Sequence, residues 1–239
     1  MPFTLLPAID LTAGRLGVYL PDGPVAVGAF EGEPIDAARS YLASGAHWLH
    51  VVDMDRAFDA GATNTEVVRA IASLPGARVQ ASGGVRTWAD VRALLAVGAS
   101  RVVVSSGALA DEDVVAEIVS GARAGEVLFG IEVSQGRIVA RGSDTVDLDL
   151  MATLGWLHTA GASGFVVTAV GRVGRATGPD VDLVRRVARS GLPTIGAGGI
   201  RSLADLEAVR GTGAIGAIVG RAALEGSLDL SQAIAWAAA

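Results

Sequence analysis

The chain has 239 residues, of which 51% are hydrophobic, and it carries a formal net charge of −6. An acidic chain without a basic stripe lacks the charge that phosphates of nucleic acids require, so we expect no nucleic-acid partner. The absence of cysteine excludes disulfides, thiolate metal ligands and a cysteine nucleophile.

The sequence also argues against a membrane or metal protein. No apolar run reaches the roughly 18 residues of a spanning helix, and residues 1–10 lack the basic and apolar regions of a signal peptide. We therefore expect a cytoplasmic protein without a membrane partner. His47, His50 and His158 show no ligand spacing, so we expect neither a metal nor a cofactor, and we interpret His50 as a packed residue near the site.

Apolar segments rich in β-branched residues alternate with helical segments along the chain. They predict strands at 3–9, 48–53, 78–81, 101–104, 127–133, 164–168, 193–195 and 217–219. Helices are predicted at 34–44, 65–72, 88–96, 112–122, 149–160, 181–189, 203–209 and 230–238, and long loops at 14–33 and 134–146. Strands that are apolar on both faces suit a parallel sheet, so the pattern predicts a (β/α)₈ barrel, with an open doubly wound sheet as the alternative.

One segment occurs twice. Residues 83–109 match residues 198–224 at 11 positions, and each copy contains a diglycine, a helix, a Gly-Ala turn and a strand. A repeat of this kind predicts a closed architecture in preference to two independent domains. We expect one barrel domain over residues 1–239, built from two homologous half-barrels, about 1–122 and 123–239.

Two sets of glycine-rich turns follow strands at corresponding places of the two halves. Backbone N–H groups at such turns bind phosphate in barrels, although glycines can also serve only to form tight turns. The duplication favours two phosphate sites at one mouth, which suits a substrate with a phosphate at each end. The candidate substrate- and phosphate-binding residues of these sets are Gly83, Gly84, Arg86, Ser105, Ser106 and Gly107, and then Gly198, Gly199, Gly220 and Arg221.

Two carboxylates, Asp10 and Glu132, each end an apolar strand. A buried carboxylate is costly unless it has a partner or a function, and two that face one pocket suit proton transfer. Asp10 is the candidate general base, with a capping or ion-pair role as the alternative. Asp53 and Asp55 are interpreted as structural residues that pair with an arginine such as Arg56.

Motifs spread over the whole chain carry a family resemblance. They include residues 6–10 (Leu-Pro-Ala-Ile-Asp), 51–58, 82–86, 140–142, 177–179 and 220–222. They resemble the ProFAR isomerase family of histidine biosynthesis, above all its actinobacterial form, phosphoribosyl isomerase A, which also serves tryptophan biosynthesis. The resemblance implies a monomeric barrel that performs an Amadori rearrangement, in which a general acid opens the ribose ring and a base takes the C2 proton. It implies the base role for Asp10, phosphate binding for the glycine-rich sets, substrate or phosphate binding for Gly178, and recognition of a substrate carboxylate for Arg141.

The chain departs from the family pattern where the general acid is expected. The motif Thr-Asp-Val-x-Lys/Arg-Asp-Gly-Thr is here residues 168–175, with Ala169 and Val173 at its acidic positions. An expected arginine is Val18, and an expected tryptophan is Ser143. These changes predict weaker binding of the larger histidine-pathway substrate.

Three hypotheses follow from these departures. The first is an isomerase in which Glu132, with Thr168 or a bound water, supplies the proton that the missing acid would give. The second is a non-catalytic or repurposed phosphosugar-binding barrel. The third is an isomerase of a different phosphorylated amino sugar.

Overall fold

A ring of parallel strands surrounded by helices forms the fold. The computed structural model describes residues 3–20, 23–59, 63–141, 143–175 and 177–239. The ring strands are β1 Thr4–Thr12, β2 Trp48–Asp53, β3 Arg78–Ser82, β4 Arg101–Val104, β5 Val127–Ser134, β6 Phe165–Ala169, β7 Thr194–Ala197 and β8 Gly216–Val219. The long helices are α1 Pro34–Ala43, α2 Thr65–Ala72, α3 Trp88–Ala96, α4 Glu112–Gly121, α5 Leu150–Ala160, α6 Val181–Ala188, α7 Leu203–Arg210 and α8 Leu230–Ala238. The predicted strands and helices are confirmed.

The strands close into a barrel. Each strand pairs in parallel with its neighbours in chain order, β1 pairs with β8, and β5 pairs with β6. This unbroken ring is the predicted (β/α)₈ barrel, and it rules out the open doubly wound sheet, which has two edge strands. Among the helices of the described residues, none has the length and apolar character needed to span a bilayer.

Both faces of the barrel strands are buried. Successive side chains of a strand point to opposite faces, so Leu6 and Ala8 of β1 pack in the barrel interior while Leu5 and Ile9 pack in the outer core beneath the helices. The interior cluster is completed by Val103, Leu128, Val166, Ile195 and Ile218. This double burial is the reason why the strands are apolar without alternation.

The segments predicted as loops are β-hairpins, which corrects the sequence interpretation. The first hairpin comprises strands Arg15–Leu20 and Gly23–Ala26, followed by a short 3₁₀ turn, Ala29–Gly32. The second hairpin comprises strands Arg137–Ala140 and Ser143–Asp149. Both fold back on a barrel strand that extends beyond the ring, so they satisfy its backbone hydrogen-bonding groups.

A buried polar network ties the turn after β1 to the turn after β2. Asn64 is 4% exposed. Its side-chain Nδ2 donates to Asp53 Oδ1 at 2.7 Å and to Asp55 Oδ2 at 3.0 Å. Its own Oδ1 accepts from the Gly14 N–H at 2.8 Å, and Asp55 accepts from the Ala13 N–H at 2.6 Å. The two aspartates therefore have structural partners.

We predicted that the Arg56 side chain pairs with Asp53 or Asp55, and this pairing is wrong. The backbone N–H of Arg56 donates to Asp53 Oδ1 at 3.2 Å, whereas the side-chain Nε donates to the carbonyl oxygen of Gly83 at 2.7 Å. Arg56 thus fixes the first diglycine in place instead of forming an ion pair with an aspartate.

We expect Asn64→Ala to lower the free energy of unfolding by about 2 to 4 kcal/mol, because two buried carboxylates and one backbone N–H each lose a hydrogen-bond partner. Urea unfolding measures this change. The exposed neighbour provides the control, since Thr63→Ala should stay within about 0.5 kcal/mol of the wild type. Equal stability of the two variants would contradict the structural role of the network.

Candidate active site

A cavity of about 210 Å³ opens at the carboxyl end of the barrel strands. The polar side chains that line it from the barrel strands include Asp10 of β1, Glu132 of β5 and Thr168 of β6. The carboxyl face is where (β/α)₈ enzymes carry their active sites. The cavity also brings together eleven other residues predicted from the sequence, namely Gly83, Gly84, Arg86, Ser105, Ser106, Gly107, Arg141, Gly198, Gly199, Gly220 and Arg221.

Gly178 is the predicted site residue that does not line the cavity. Its backbone N–H donates to the carbonyl oxygen of Gly199 at 3.1 Å. A Cβ atom added to Gly199 would lie 2.2 Å from the carbonyl oxygen of Gly178. Gly178 therefore supports the second diglycine from behind.

The two diglycines have matching backbone geometry. The first glycines, Gly83 and Gly198, have φ angles of +99° and +98°, and the second glycines, Gly84 and Gly199, have φ angles of +62° and +83°, all in the left-handed region that favours glycine. Close packing excludes a side chain as well, because a Cβ at Gly83 would lie 2.2 Å from the carbonyl oxygen of Asp53. Both turns consequently present bare backbone to the cavity.

The helices that follow the diglycines begin in the same way. Thr87 caps α3 by accepting from the Asp90 N–H at 3.1 Å, and Ser202 caps α7 by accepting from the Asp205 N–H at 3.2 Å. The two aspartates in turn accept from backbone N–H groups, of Arg86 and of Arg201, at 3.0 Å each. Since these N–H groups are already used, a bound anion would have to take its backbone donors from the glycines and the turns after β4 and β8.

Glu132 forms an ion pair with Arg141 inside the mouth. The Arg141 Nε donates to Glu132 Oε1 at 2.5 Å, its Nη2 contacts the same oxygen, and its backbone N–H donates to Oε2 at 3.2 Å. Burial is the largest single effect and lowers the pKa of Arg141, but the charge and hydrogen bond of Glu132, together with smaller effects led by the charge of Asp10, outweigh it and raise the pKa. Glu132 is therefore held as a hydrogen-bond acceptor.

Ser106 belongs to the same cluster. Its side chain is fully buried, and the hydroxyl donates to the carbonyl oxygen of Val139 at 2.6 Å and lies 3.3 Å from Glu132 Oε2. The hydroxyl predicted to hold phosphate thus connects Glu132 to the second hairpin instead.

An aromatic stack that the sequence interpretation missed flanks Arg141. The Tyr19 ring of the first hairpin lies parallel to the Phe58 ring at 5.5 Å, and the Arg141 guanidinium lies 5.1 Å from the Tyr19 centroid. All three residues line the cavity. The hairpin that carries Tyr19 was interpreted as a loop, so no strand pattern pointed to this ring.

Asp10 has a different environment from Glu132. Desolvation by burial raises the pKa of its carboxyl to about 6, against an opposing effect of Arg141. Tyr41 of α1 is also buried. Burial is the main cause that raises the pKa of its phenol, and the negative charge of Asp10 raises it further. The Tyr41 hydroxyl has no hydrogen-bond partner among the described residues. The Asp10 carboxylate therefore sits in a weakly solvating pocket.

His50 is a neutral member of the cavity wall. Burial, followed by the charges of Arg101 and Arg141, lowers its pKa to about 3. Its Nδ1 lies 2.9 Å from Gln80 Nε2, and Gln80 Oε1 accepts from Arg101 Nε at 2.7 Å. Because the Gln80 amide nitrogen is then a donor, His50 Nδ1 is the acceptor and Nε2 carries the proton.

The two arginines of the glycine-rich sets are held by other groups. Arg86 Nη1 lies 3.5 Å from Asp59 Oδ2. Arg221 Nε donates to Glu225 Oε1 at 2.6 Å, and its Nη1 donates to the carbonyl oxygen of Gly174 at 2.8 Å. Arg221 thus joins the turn after β8 to the turn after β6.

The residues that depart from the family pattern are found around the same cavity. Val18 and Val173 line it, and Ala169 is buried at the end of β6. The side chain of Ser143 and the whole of Gly142 lie outside the described residues. In the described part of the lining, an apolar side chain stands where the resemblance implies the general acid.

Comparisons with known proteins agree with this architecture. The family model described as "Histidine biosynthesis protein" matches residues 4–229. Three relatives share the name 1-(5-phosphoribosyl)-5-((5-phosphoribosylamino)methylideneamino) imidazole-4-carboxamide isomerase, here called ProFAR isomerase. They come from Thermobifida fusca (37% identity, 97% of this chain and 95% of the relative), Saccharopolyspora erythraea (38%, 98% and 99%) and Halobacterium salinarum (35%, 97% and 96%). The chain belongs to the histidine biosynthesis protein family, alongside the ProFAR isomerases.

Proposed function

We propose that this chain is an isomerase that converts a phosphoribosyl aminoaldose into the aminoketose by an Amadori rearrangement. The observation that carries the proposal is Asp10, a carboxylate with a pKa near 6 at the mouth of a cavity that also contains two diglycine turns. A general base works best when its pKa lies near the operating pH. The full-length similarity to ProFAR isomerases supports the same reaction class.

The proposed reaction is an internal redox change at two neighbouring carbons. Protonation of the ring oxygen opens the ribose and gives an iminium at C1. Asp10 then takes the proton from C2, and the resulting enolamine becomes the ketone when C1 gains a proton and the C2 hydroxyl loses one. C2 is oxidised as C1 is reduced, so atoms and electrons balance within the substrate.

We propose that ring opening is the slow step in this chain. Glu132 accepts hydrogen bonds from Arg141 on both carboxylate oxygens, so it must leave this pair before it can carry a proton to the ring oxygen. Thr168, which lies beside Glu132 in the strand register, is another polar side chain on this side of the mouth. The position that carries the acid in the family is Val173.

The two glycine-rich sets are proposed to bind the phosphates. Bare backbone at Gly83 and at Gly199 lets an anion approach N–H groups without a side chain in between. We also propose that the matching geometry reflects two homologous half-barrels that form one domain. The family likeness supports the further proposals that the chain works as a monomer in the cytoplasm.

Substrate preference is proposed to favour the smaller anthranilate-type substrate, which would extend the function to tryptophan biosynthesis. The guanidinium of Arg141 sits against Tyr19 and could exchange Glu132 for a substrate carboxylate. Val18, an apolar residue where the family has an arginine, weakens the case for the larger two-phosphate substrate.

Turnover with ProFAR and with phosphoribosylanthranilate tests the proposed function. We expect measurable isomerisation of at least one substrate, and we expect Asp10→Asn to lower kcat by about 10²- to 10⁴-fold, because the C2 proton loses its acceptor. Steady-state assays of both proteins with both substrates make the comparison. Unchanged turnover in the variant would remove Asp10 from the mechanism.

Asp10 should also make stability depend on pH. The folded protein holds the Asp10 proton more tightly than the unfolded chain, with a pKa of about 6 against 3.8, so this contribution to stability is present below pH 4 and is lost as the pH rises through 6. Relative to wild type, Asp10→Asn should be equally stable near pH 4 and more stable at pH 8, by up to about 3 kcal/mol. Urea unfolding at several pH values measures the difference. Glu117→Gln, at an exposed helix position, is the control and should show no such trend.

Val173→Asp should raise kcat by about 10- to 10³-fold if ring opening is slow, because a carboxylic acid would then face the cavity near Gly198. The same assay distinguishes the alternative of a binding barrel. In that case the wild type binds phosphoribosyl ligands in calorimetry without turning them over, and activity appears only in the variant. A variant no faster than the wild type would show that this position no longer limits the reaction.

A further inference from the structure

Three aromatic and cationic side chains meet at the end of the barrel opposite the cavity. Trp48, Arg78 and Arg101 are the first residues of β2, β3 and β4, so they lie at the amino end of the strands. The Arg101 guanidinium carbon is 4.2 Å from the centroid of the Trp48 ring, and that of Arg78 is 4.9 Å from it. None of the three lines the catalytic cavity. We call them the basal cluster.

The basal cluster has two positive charges without a negative partner. Neither guanidinium has a carboxylate within ion-pair distance among the described residues. The charges are also close enough to affect each other: burial, and then Arg78, lowers the pKa of Arg101 to about 10. Two uncompensated cations in a chain of net charge −6 call for a counter-ion.

The geometry leaves donors for such an ion. Stacking on an indole uses the faces of a guanidinium and leaves its in-plane N–H groups able to form hydrogen bonds. Arg101 uses Nε to donate to Gln80 Oε1, while its two terminal nitrogens have no acceptor among the described residues. Arg78 is exposed and Arg101 half-buried, so the cluster can be reached from solvent.

We infer that the basal cluster is a further anion site, separate from the mouth of the barrel, which binds a phosphate group through Arg78 and Arg101 beside the Trp48 ring. Phosphate fits better than a monovalent anion because two guanidinium groups match a doubly charged oxyanion, and their planar donors match its oxygens. The inference does not depend on the proposed isomerase activity, since the cluster lies at the other end of the barrel.

Titration with inorganic phosphate, followed by NMR of ¹⁵N-labelled tryptophan side chains, tests this site. Trp48→Phe assigns the Trp48 indole signal, and the other three tryptophans, Trp88, Trp156 and Trp236, report binding elsewhere. We expect the Trp48 signal to shift in a saturable way with phosphate but not with chloride at equal ionic strength. Phosphate should bind about tenfold more weakly, or worse, in Arg101→Met and in Arg78→Met.

Arg92→Met is the matched control, because it removes an exposed arginine of α3 away from the cluster and should leave the titration unchanged. The exposed Arg78→Met variant keeps the test valid if Arg101→Met does not fold. A second titration uses glycerol 3-phosphate in place of inorganic phosphate. Whichever of the two binds more tightly shows whether the site takes a phosphorylated metabolite or free phosphate. The inference would be overturned if neither inorganic phosphate nor glycerol 3-phosphate shifted the Trp48 signal. It would also be overturned if the signal shifted to the same extent in the wild type and in the arginine variants.

Discussion

The parallel pairing of β5 with β6 closes the barrel, and the arrangement of the mouth depends on it. This pairing sets Thr168 in register with Glu132, while the pairing of β1 with β8 and β2 holds Asp10 on the same rim. In an open sheet, the two carboxylates would lie along an edge and could not face one cavity. Closure of the barrel thus brings residues that are far apart in the sequence together at one site.

The two strand carboxylates of the mouth, Asp10 of β1 and Glu132 of β5, have opposite surroundings. Glu132 is compensated by the Arg141 guanidinium, the Arg141 backbone N–H and the Ser106 hydroxyl. Burial raises the pKa of Asp10 against the opposing charge of Arg141, and the charge of Asp10 in turn raises the pKa of the buried Tyr41 phenol. Environments that separate two carboxylates in this way assign them different tasks. Asp10 suits proton exchange, whereas Glu132 suits the positioning of Arg141.

Much of the fold follows from the sequence because burial on both faces leaves a clear apolar pattern in each barrel strand. The hairpins were not predicted in this way, since their strands lie outside the ring and pair with extensions of β1 and β5 beyond it. Residues at strand ends line the cavity because backbone periodicity decides where they point, while their roles stay predictions. Side-chain partners were not predictable: the bonds of Ser106 to Val139 and of Arg221 to Gly174 depend on contacts between distant turns.

The buried amide of Gln80 links the two ends of the barrel. Its oxygen accepts from Arg101, which fixes the orientation of the amide and makes its nitrogen the donor to His50. The tautomer of a histidine in the cavity wall is therefore determined by an arginine of the basal cluster. A chain of hydrogen bonds inside a closed barrel cannot rearrange at one end alone, because each buried polar group must keep a partner. Any ligand that moves Arg101 would consequently act on the cavity through Gln80.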